Sequence, residues 1–362
     1  MGNVDSVQLI RGQVLGQFPG WEIATVEPLG GGLINQTFLL TARKQHAVLQ
    51  RLSPIFSPII NENIAAVTSA LAAVDLVTPR LLPTRDGRLW LDLGGEAGVW
   101  RLQTFVSGTS FERVQSPEQA HAAGALVARF HRALEGLPYT FHGLREGAHD
   151  TAKHLARLRE AVTTHKTHRL VAQVGPLADT ILTRAQDLEP LPDLPTRLCH
   201  GDLKLNNILF AGKAPPASEH ALCLIDLDTV GPMPLAYELG DAWRSWCNVS
   251  GEDATDAIID LDVFRASFAG YHSGLGRDLT EAERRALLGG VEWISLELAS
   301  RFAADALCEN YFGWDARRFP GRGEHNLVRS RGQLALHEAF LATRVERAAI
   351  LGVTPAHGRD RP

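Results

Sequence analysis

Several things are scarce in this 362-residue chain, and each scarcity removes a class of protein. Cysteine occurs four times, at Cys199, Cys223, Cys247 and Cys308, with no C-x-x-C pair among them. That spacing argues against a disulfide frame or a thiolate zinc site, and the apolar neighbours predict buried free thiols of a reducing compartment. Positive charge is not in excess: 36 Lys+Arg against 41 Asp+Glu leave a net charge of −5. A nucleic-acid binder normally shows a basic face, so none is expected as a partner. No apolar run approaches the roughly 20 residues of a membrane span, and the first eleven residues are too polar for a secretory leader. Internal repeats and low-complexity stretches are missing as well. The expectation is a cytoplasmic protein with neither membrane nor nucleic-acid partners, and these absences alone name no activity.

What is present is an ordinary globular composition, 45% hydrophobic and 21% charged. The length predicts two domains or one two-lobed unit, large enough to bury about three quarters of its unfolded surface without staples. Residues 21–28, 37–41, 46–51 and 99–106 are β-branched, aromatic or alternating, and read as strands. Residues 61–73 read as one Ala-rich helix, and residues 84–88 carry an Asp-Gly turn suited to a hairpin. From Ser116 the pattern turns helical. Ser116-Pro117-Glu118-Gln119 combines a cap, a proline at the first position and a glutamine three residues after the cap. Ala123, Leu126, Val127, Phe130 and Leu134 follow on one face. Thr280-Glu281-Ala282-Glu283 is a second capping box, opening a helix to about residue 306, and a third helical pattern covers residues 327–350. Residues 221–229 are a short strand-like piece, and residues 354–362 a tail. We therefore expect an α+β architecture: a small β-rich lobe over residues 1–107 and a larger helical lobe over residues 108–353.

The chemistry concentrates in His200-Gly201-Asp202-Leu203-Lys204-Leu205-Asn206-Asn207, followed by Leu224-Ile225-Asp226-Leu227-Asp228. Phosphoryl transfer from ATP needs a carboxylate to take the proton of the attacking hydroxyl. It also needs oxygen ligands to hold Mg2+ on the phosphates and a cation to meet developing charge. Asp202 and Asn207 have the five-residue separation found in protein-kinase catalytic loops, and Asp226 follows 19 residues later at the end of an apolar strand. Lys204 is placed to neutralise phosphoryl oxygens. A lone H-G-D is more simply a loop with a capping Asp. The asparagine at the right offset and the second acidic strand end favour catalysis.

H-G-D-x-x-x-x-N followed by I-D-x-D resembles the signature of the aminoglycoside phosphotransferase and choline kinase superfamily. Further motifs are similar to the N-acetylhexosamine 1-kinase-like branch. They are Gly30-Gly31-Gly32-Leu33-Ile34-Asn35-Gln36-Thr37-Phe38, Val48-Leu49-Gln50-Arg51-Leu52, Glu62-Asn63-Ile64, Trp100-Arg101 and Phe105-Val106. The same branch is matched by Ile225–Pro232, by Gly240-Asp241-Ala242-Trp243-Arg244 and by His325–Arg331. The resemblance implies a protein-kinase-like fold, with Asp202 as catalytic base and Asn207 and Asp226 as Mg2+ ligands. Asp228 would be an outer-sphere group or orient Lys204, and Gly30, Gly31 and Gly32 would cover the ATP phosphates. One departure stands out: the third strand carries no lysine to pair with the helix residue Glu62. Alternation lets only one of Gln50 and Arg51 face the nucleotide, and an Arg51–Glu62 pair is the favoured substitute. Gln103 joins the nucleotide-side candidates.

Acceptor groups are expected from Arg301, Tyr311, Asn35 and Asp228. Arg301 and Asp305, four apart, can equally pair with each other, and Phe312 and Trp314 can form either an aromatic platform or core. Asn326 is expected to cap the last helix, His325 either to reach the acceptor or to cap, and Asp241 and Arg244 to pair beneath the catalytic loop. His131 reads as a core histidine. The 309–325 stretch mixes both signs of charge, so a neutral polyol suits it better than a cation. The leading expectation is a kinase for the anomeric oxygen of an N-acetylhexosamine, monomeric or homodimeric. The alternatives are a kinase for another alcohol (choline or ethanolamine, a homoserine-like compound, an aminoglycoside) and a catalytically silent nucleotide-binding module.

Overall fold

Strand alternation builds the first of two units into which contacts divide the chain. The computed structural model describes residues 3–30, 34–144, 147 and 149–354, and the first unit comprises residues 1–108, 136–145 and 225–231. Its antiparallel sheet contains β1 (Thr25–Pro28), β2 (Gln36–Ala42), β3 (Gln45–Leu52), β4 (Leu81–Leu82), β5 (Leu91–Asp92) and β6 (Val99–Thr104). The strand order is β1-β2-β3-β6-β4, with β5 also on β6. The 84–88 segment was expected to be a hairpin tip. It does hold a local turn, Thr84 N donating to Arg88 O at 2.9 Å, with Gly87 at φ +81°. The flanking strands nevertheless pair with β6 rather than with each other, Leu82 opposite Leu102 and Leu91 opposite Trp100.

One face of the sheet carries Phe38, Leu40, Ala47, Leu49, Trp100 and Leu102, all buried. Against them lie Ile10, Val14, Leu15 and Phe18, supplied by the helical turns that continue helix α1 (Asn3–Leu9) and the residue after them. This N-terminal helical segment is absent from the sequence reading. Its apolar residues Ile10, Val14 or Leu15, and Phe18 nonetheless recur at near-helical spacing, and each fully buried one stabilises the unit by about 1.5–3 kcal/mol. The opposite face carries Gln50 and Arg101, which are register partners across β3 and β6. Helix α2 (Ile60–Ala72) follows β3.

The second unit is mainly helical: α3 (Pro117–Leu134), α4 (Thr151–Thr164), α5 (Val171–Asp187), α6 (Leu235–Trp246), α7 (Leu261–Leu275), α8 (Glu281–Cys308), α9 (Arg322–Ala342) and α10 (Arg344–Leu351). Short strands β7 (Arg197–Cys199), β8 (Ile208–Phe210) and β9 (Ala221–Leu224) interrupt it. Both capping signals are realised. Ser116 Oγ accepts from Gln119 N at 3.1 Å, while Thr280 and Glu283 exchange side-chain bonds with each other's main-chain N–H at 2.8 and 3.1 Å. Helices α3 and α7 approach so closely that a Cβ at Gly124 would lie 2.0 Å from the Ser267 carbonyl oxygen. The predicted single helix over residues 327–350 is two helices divided at Thr343. The turn is held by the buried Arg347 guanidinium, which donates to Leu288 O (2.8 Å), to Phe340 O (2.6 Å) and to Glu292. Cys199, Cys223 and Cys247 are buried and Cys308 half-buried, all as free thiols, and apolar burial pushes Cys223 up to about 12. No helix among the described residues is long and apolar enough to cross a membrane.

Candidate active site

The H-G-D loop leaves β7 through Gly201 at φ +84°, a conformation that suits glycine, and is held from below by α6. Glu238 is buried, and its carboxylate accepts from the main-chain N–H groups of His200 (2.7 Å) and Gly201 (2.9 Å). His131, anchored at 2.9 Å to the Tyr271 hydroxyl, meets the same carboxylate at 3.2 Å. Burial alone would raise the Glu238 pKa; the bonds from His131 and the Gly201 N–H outweigh it and hold the group below the usual glutamate range. His131 is thus the core histidine the sequence suggested. Glu238, which fixes the backbone beside Asp202, is missing from the sequence reading.

Within this loop Lys204 Nζ lies 3.0 Å from Asp202 Oδ2. Burial works to lower the lysine pKa, but the Asp202 charge and hydrogen bond, with Asp241 and Glu252 behind, raise it, so Lys204 is a fixed cation. Asp241 pairs with Arg244 at 2.8 Å, as the spacing of three predicts, and Arg244 also reaches Glu252 at 3.5 Å. The second oxygen of Asp241 is buried without a hydrogen-bond partner. Asn207 donates its amide to the Asp202 main-chain oxygen at 2.8 Å and to its Oδ2 at 3.2 Å. Both amide hydrogens are then spent, and the oxygen is left as the donor atom that Asn207 can offer. A carboxamide oxygen beside a carboxylate is a hard oxygen donor set, which fits Mg2+. By contrast, the buried group His131, Cys199 and Glu238 has ligand atoms within 4.8 Å of one another, but its histidine and carboxylate are committed to internal bonds.

In the first unit, Asp226 sits in the left-handed conformation, φ +64° and ψ +58°, a strained backbone for a non-glycine residue. Two residues later Asp228 is buried; its Oδ1 lies 2.5 Å from Arg101 Nη1 and its Oδ2 accepts from Asn35 Nδ2 at 2.6 Å. Asn35 spends its oxygen on Ser53 N at 2.9 Å. Gln50 does face this network, with Oε1 accepting from Arg101 Nε (2.9 Å), Arg101 Nη2 (2.7 Å) and Gln103 Nε2 (3.2 Å). The favoured Arg51–Glu62 pair is not formed. Alternation puts Arg51 on the other face, where its guanidinium bonds the Glu96 carbonyl beside Gly98, and Glu62 is exposed. The α2 residue that turns inward is Asn61, whose oxygen lies 3.4 Å from Arg101 Nη1. Arg101 is therefore the buried cation of this face, a residue the sequence reading quoted without assigning it. Gly30, at φ +72°, ends the described part of the glycine run; Gly31 and Gly32 lie outside the described residues.

The acceptor candidates of the second unit rearrange. Arg301 does not pair with Asp305 but lies 3.6 Å from Glu297, one turn earlier, with its guanidinium 5.9 Å from the Tyr311 ring centre. Glu297 is buried and accepts from Thr151 Oγ1 at 2.7 Å, with His149 Nδ1 at 3.2 Å and Tyr237 stacked on His149. Asp305 is occupied by the main chain beyond α8: it accepts from the N–H groups of Asn310, Tyr311 and Phe312 at 2.8–3.0 Å. Asn326 was expected to cap α9; it sits inside the helix and donates to Asp305 at 2.8 Å, while Gly321 holds the cap position. His325 bonds Asp253 at 3.0 Å. Phe312 packs on Phe302, ring centres 4.4 Å apart.

A homoserine kinase of Zymomonas mobilis is 25% identical over 267 residues, covering 74% of this chain and 76% of its own. Among solved structures, a microcompartment-associated aminopropanol kinase superposes with a TM-score of 0.61 at 19% identity, covering 92% of this chain and 97% of its own. An amicoumacin kinase in complex with AMP-PNP and Ca2+ gives 0.58 at 13% identity, covering 91% and 93%. The fold is thus kinase-like and α+β. The model of the phosphotransferase enzyme family matches residues 25–274, more than two thirds of the sequence, and the chain belongs to that family.

Proposed function

We propose that this phosphotransferase moves the γ-phosphoryl group of ATP to an alcohol group of a small molecule, with Asp202 as the base that takes the hydroxyl proton. The observation that carries the reading is the Asp202–Lys204–Asn207 arrangement. The backbone leading into Asp202 is held by Glu238, the neighbouring Lys204 keeps its charge, and Asn207 donates one hydrogen bond to the Asp202 main-chain oxygen and one to its carboxylate. Asn207, whose side-chain oxygen is its remaining donor atom, and Asp226 are the residues that would hold Mg2+. When bound, the metal supplies charge neutralisation on the phosphates. Lys204 meets charge on the transferring group, and Asp241 and Arg244 keep the loop from shifting.

For the acceptor we infer a neutral polyol, the anomeric hydroxyl of an N-acetylhexosamine being the leading candidate. Glu297 is already balanced by Thr151, His149 and Arg301, and Asp305 by four N–H groups, so neither is an uncommitted carboxylate for an ammonium ion. Arg301 and Tyr311, with the guanidinium 5.9 Å from the ring centre, are the groups we assign to hydrogen-bond and stack against a sugar. A second reading, a homoserine-like amino alcohol, is favoured by the homoserine kinase relative. An ATP-consumption screen over N-acetylhexosamines, other sugars, homoserine, amino alcohols, choline and aminoglycosides decides, with phosphorus NMR of the product. A sugar 1-phosphate supports the first reading; O-phosphohomoserine or a phosphorylated amino alcohol replaces it with the second. No turnover with any acceptor would sink both.

A further inference from the structure

Among the described residues Arg101 is the least solvent-accessible charged residue of the first unit, at 1% exposure, and one of its contacts reaches Asp228 in the turn after Asp226. Its planar fork is fully engaged at one end by the sheet, Nε and Nη2 both donating to Gln50 Oε1. At the other end, Nη1 reaches Asn61 of α2 and the carboxylate of Asp228. Asp228 opens no regular element of its own. It sits in the short 227–229 turn that starts from the strained Asp226, and its second oxygen is tied by Asn35. A left-handed aspartate persists only where its surroundings over-determine it. Here the surroundings include one buried ion pair and one amide bond on the residue two places further along.

We propose that Arg101 is the positioning residue for the Asp226 turn: it connects β3, β6 and α2 to Asp228, and through Asp228 sets where the Asp226 carboxylate stands. The strand lysine of other kinases is thereby replaced not by a phosphate-binding cation from β3 but by an arginine from β6 that acts on the metal-holding turn. This inference rests on the kinase reading above. It requires that Arg101 affect the metal requirement and not the intrinsic grip on the nucleotide.

The test is calorimetric titration of ATP into the full-length chain, once in EDTA and then at stepped Mg2+ concentrations, for wild type, Arg101→Met, Asp228→Asn and the double variant. The expected result is a rise of about 10-fold in the Mg2+ concentration that half-restores tight ATP binding in either single variant, as for removal of a partner that orients a metal ligand. The metal-free ATP affinity should stay within about two-fold, and the double variant should be no worse than the poorer single one. Should Arg101→Met fail to fold, Arg101→Lys keeps the charge on Asp228 but loses the fork to Gln50 and Asn61, and should give a smaller shift of the same kind. An equal loss of metal-free ATP affinity would overturn the inference, because Arg101 would then be meeting the phosphates itself. So would an unshifted Mg2+ requirement in a folded variant. A wild-type chain that binds ATP but phosphorylates no acceptor would instead overturn the kinase reading, which separates the two failures.

Discussion

Replacing Glu238 by glutamine tests whether the catalytic loop is held by a buried carboxylate. In the native chain that group accepts two main-chain N–H bonds, from His200 and Gly201, and a third contact from His131. Glutamine keeps the shape but offers one oxygen, so one N–H must face an amide NH2 and goes unsatisfied. Losing a charge-assisted bond costs about 1.5–3 kcal/mol, and an unpaired buried donor about 1–3 kcal/mol; with partial relaxation we expect a total of about 3 kcal/mol. At about 2–4 °C per kcal/mol for a domain of roughly 150–250 residues, the melting temperature should fall by about 6–12 °C. The pH dependence is the sharper readout. Glu238 is held below its unfolded value of about 4.3, so its contribution is complete above that pH and is lost as pH falls through the folded value. The glutamine variant should lose this part of the acid sensitivity, leaving a flatter stability curve below about pH 4.5. Thermal melts between pH 3 and 7, paired with turnover at pH 7, make the measurement. A melting temperature within 2 °C of wild type, or an unchanged acid limb, would refute the reasoning.

The other predictions address separate parts of the molecule. Asp202→Asn should lower turnover by at least about 10²-fold while ATP binding stays within a few-fold, measured by coupled assay and calorimetry; near-normal turnover would remove Asp202 as the base. Gly124→Ala puts a methyl group 2.0 Å from the Ser267 carbonyl, and main chain cannot give way as a side chain can. Denaturant unfolding should show a loss of about 3 kcal/mol. Arg347→Met leaves Glu292 buried beside one remaining arginine, Arg344, and should cost about 3–5 kcal/mol. Burial already pushes the Glu292 carboxyl up against the pull of both arginines, and the substitution should push it further, so the variant should be relatively less impaired as pH falls toward 5.

The parts of the site legible in the sequence are those whose geometry is local. Asp202, Lys204 and Asn207 lie within six residues, and a short loop between β7 and β8 leaves few ways to arrange them. Asp241 and Arg244 are one helical turn apart and pair accordingly. Arg101 was not legible, because its role follows from the register of β6 on β3, which brings it opposite a residue 51 positions away. Arg301 had equivalent partners four residues in either direction; the end of α8 decided between them. With Glu309 turned to φ +51°, the next three N–H groups need an acceptor, and Asp305 is drawn to them, leaving Glu297 to Arg301. The break at Thr343 carries neither proline nor glycine, so no local stop signal marked it. Its cause, the buried Arg347, lies in the following helix.

The joining of residues 225–231 to the sheet of residues 1–108 has a consequence for how the protein is made. Asn35 and Asp228 are 193 positions apart, yet they bond directly in the interior of one unit. A ribosome that has finished the sheet strands must still translate more than a hundred further residues before the carboxylate for Arg101 exists. Until then the nascent chain carries an unpaired arginine on a half-built face, a reason to expect it to depend on chaperones and to resist expression as a fragment ending near residue 108.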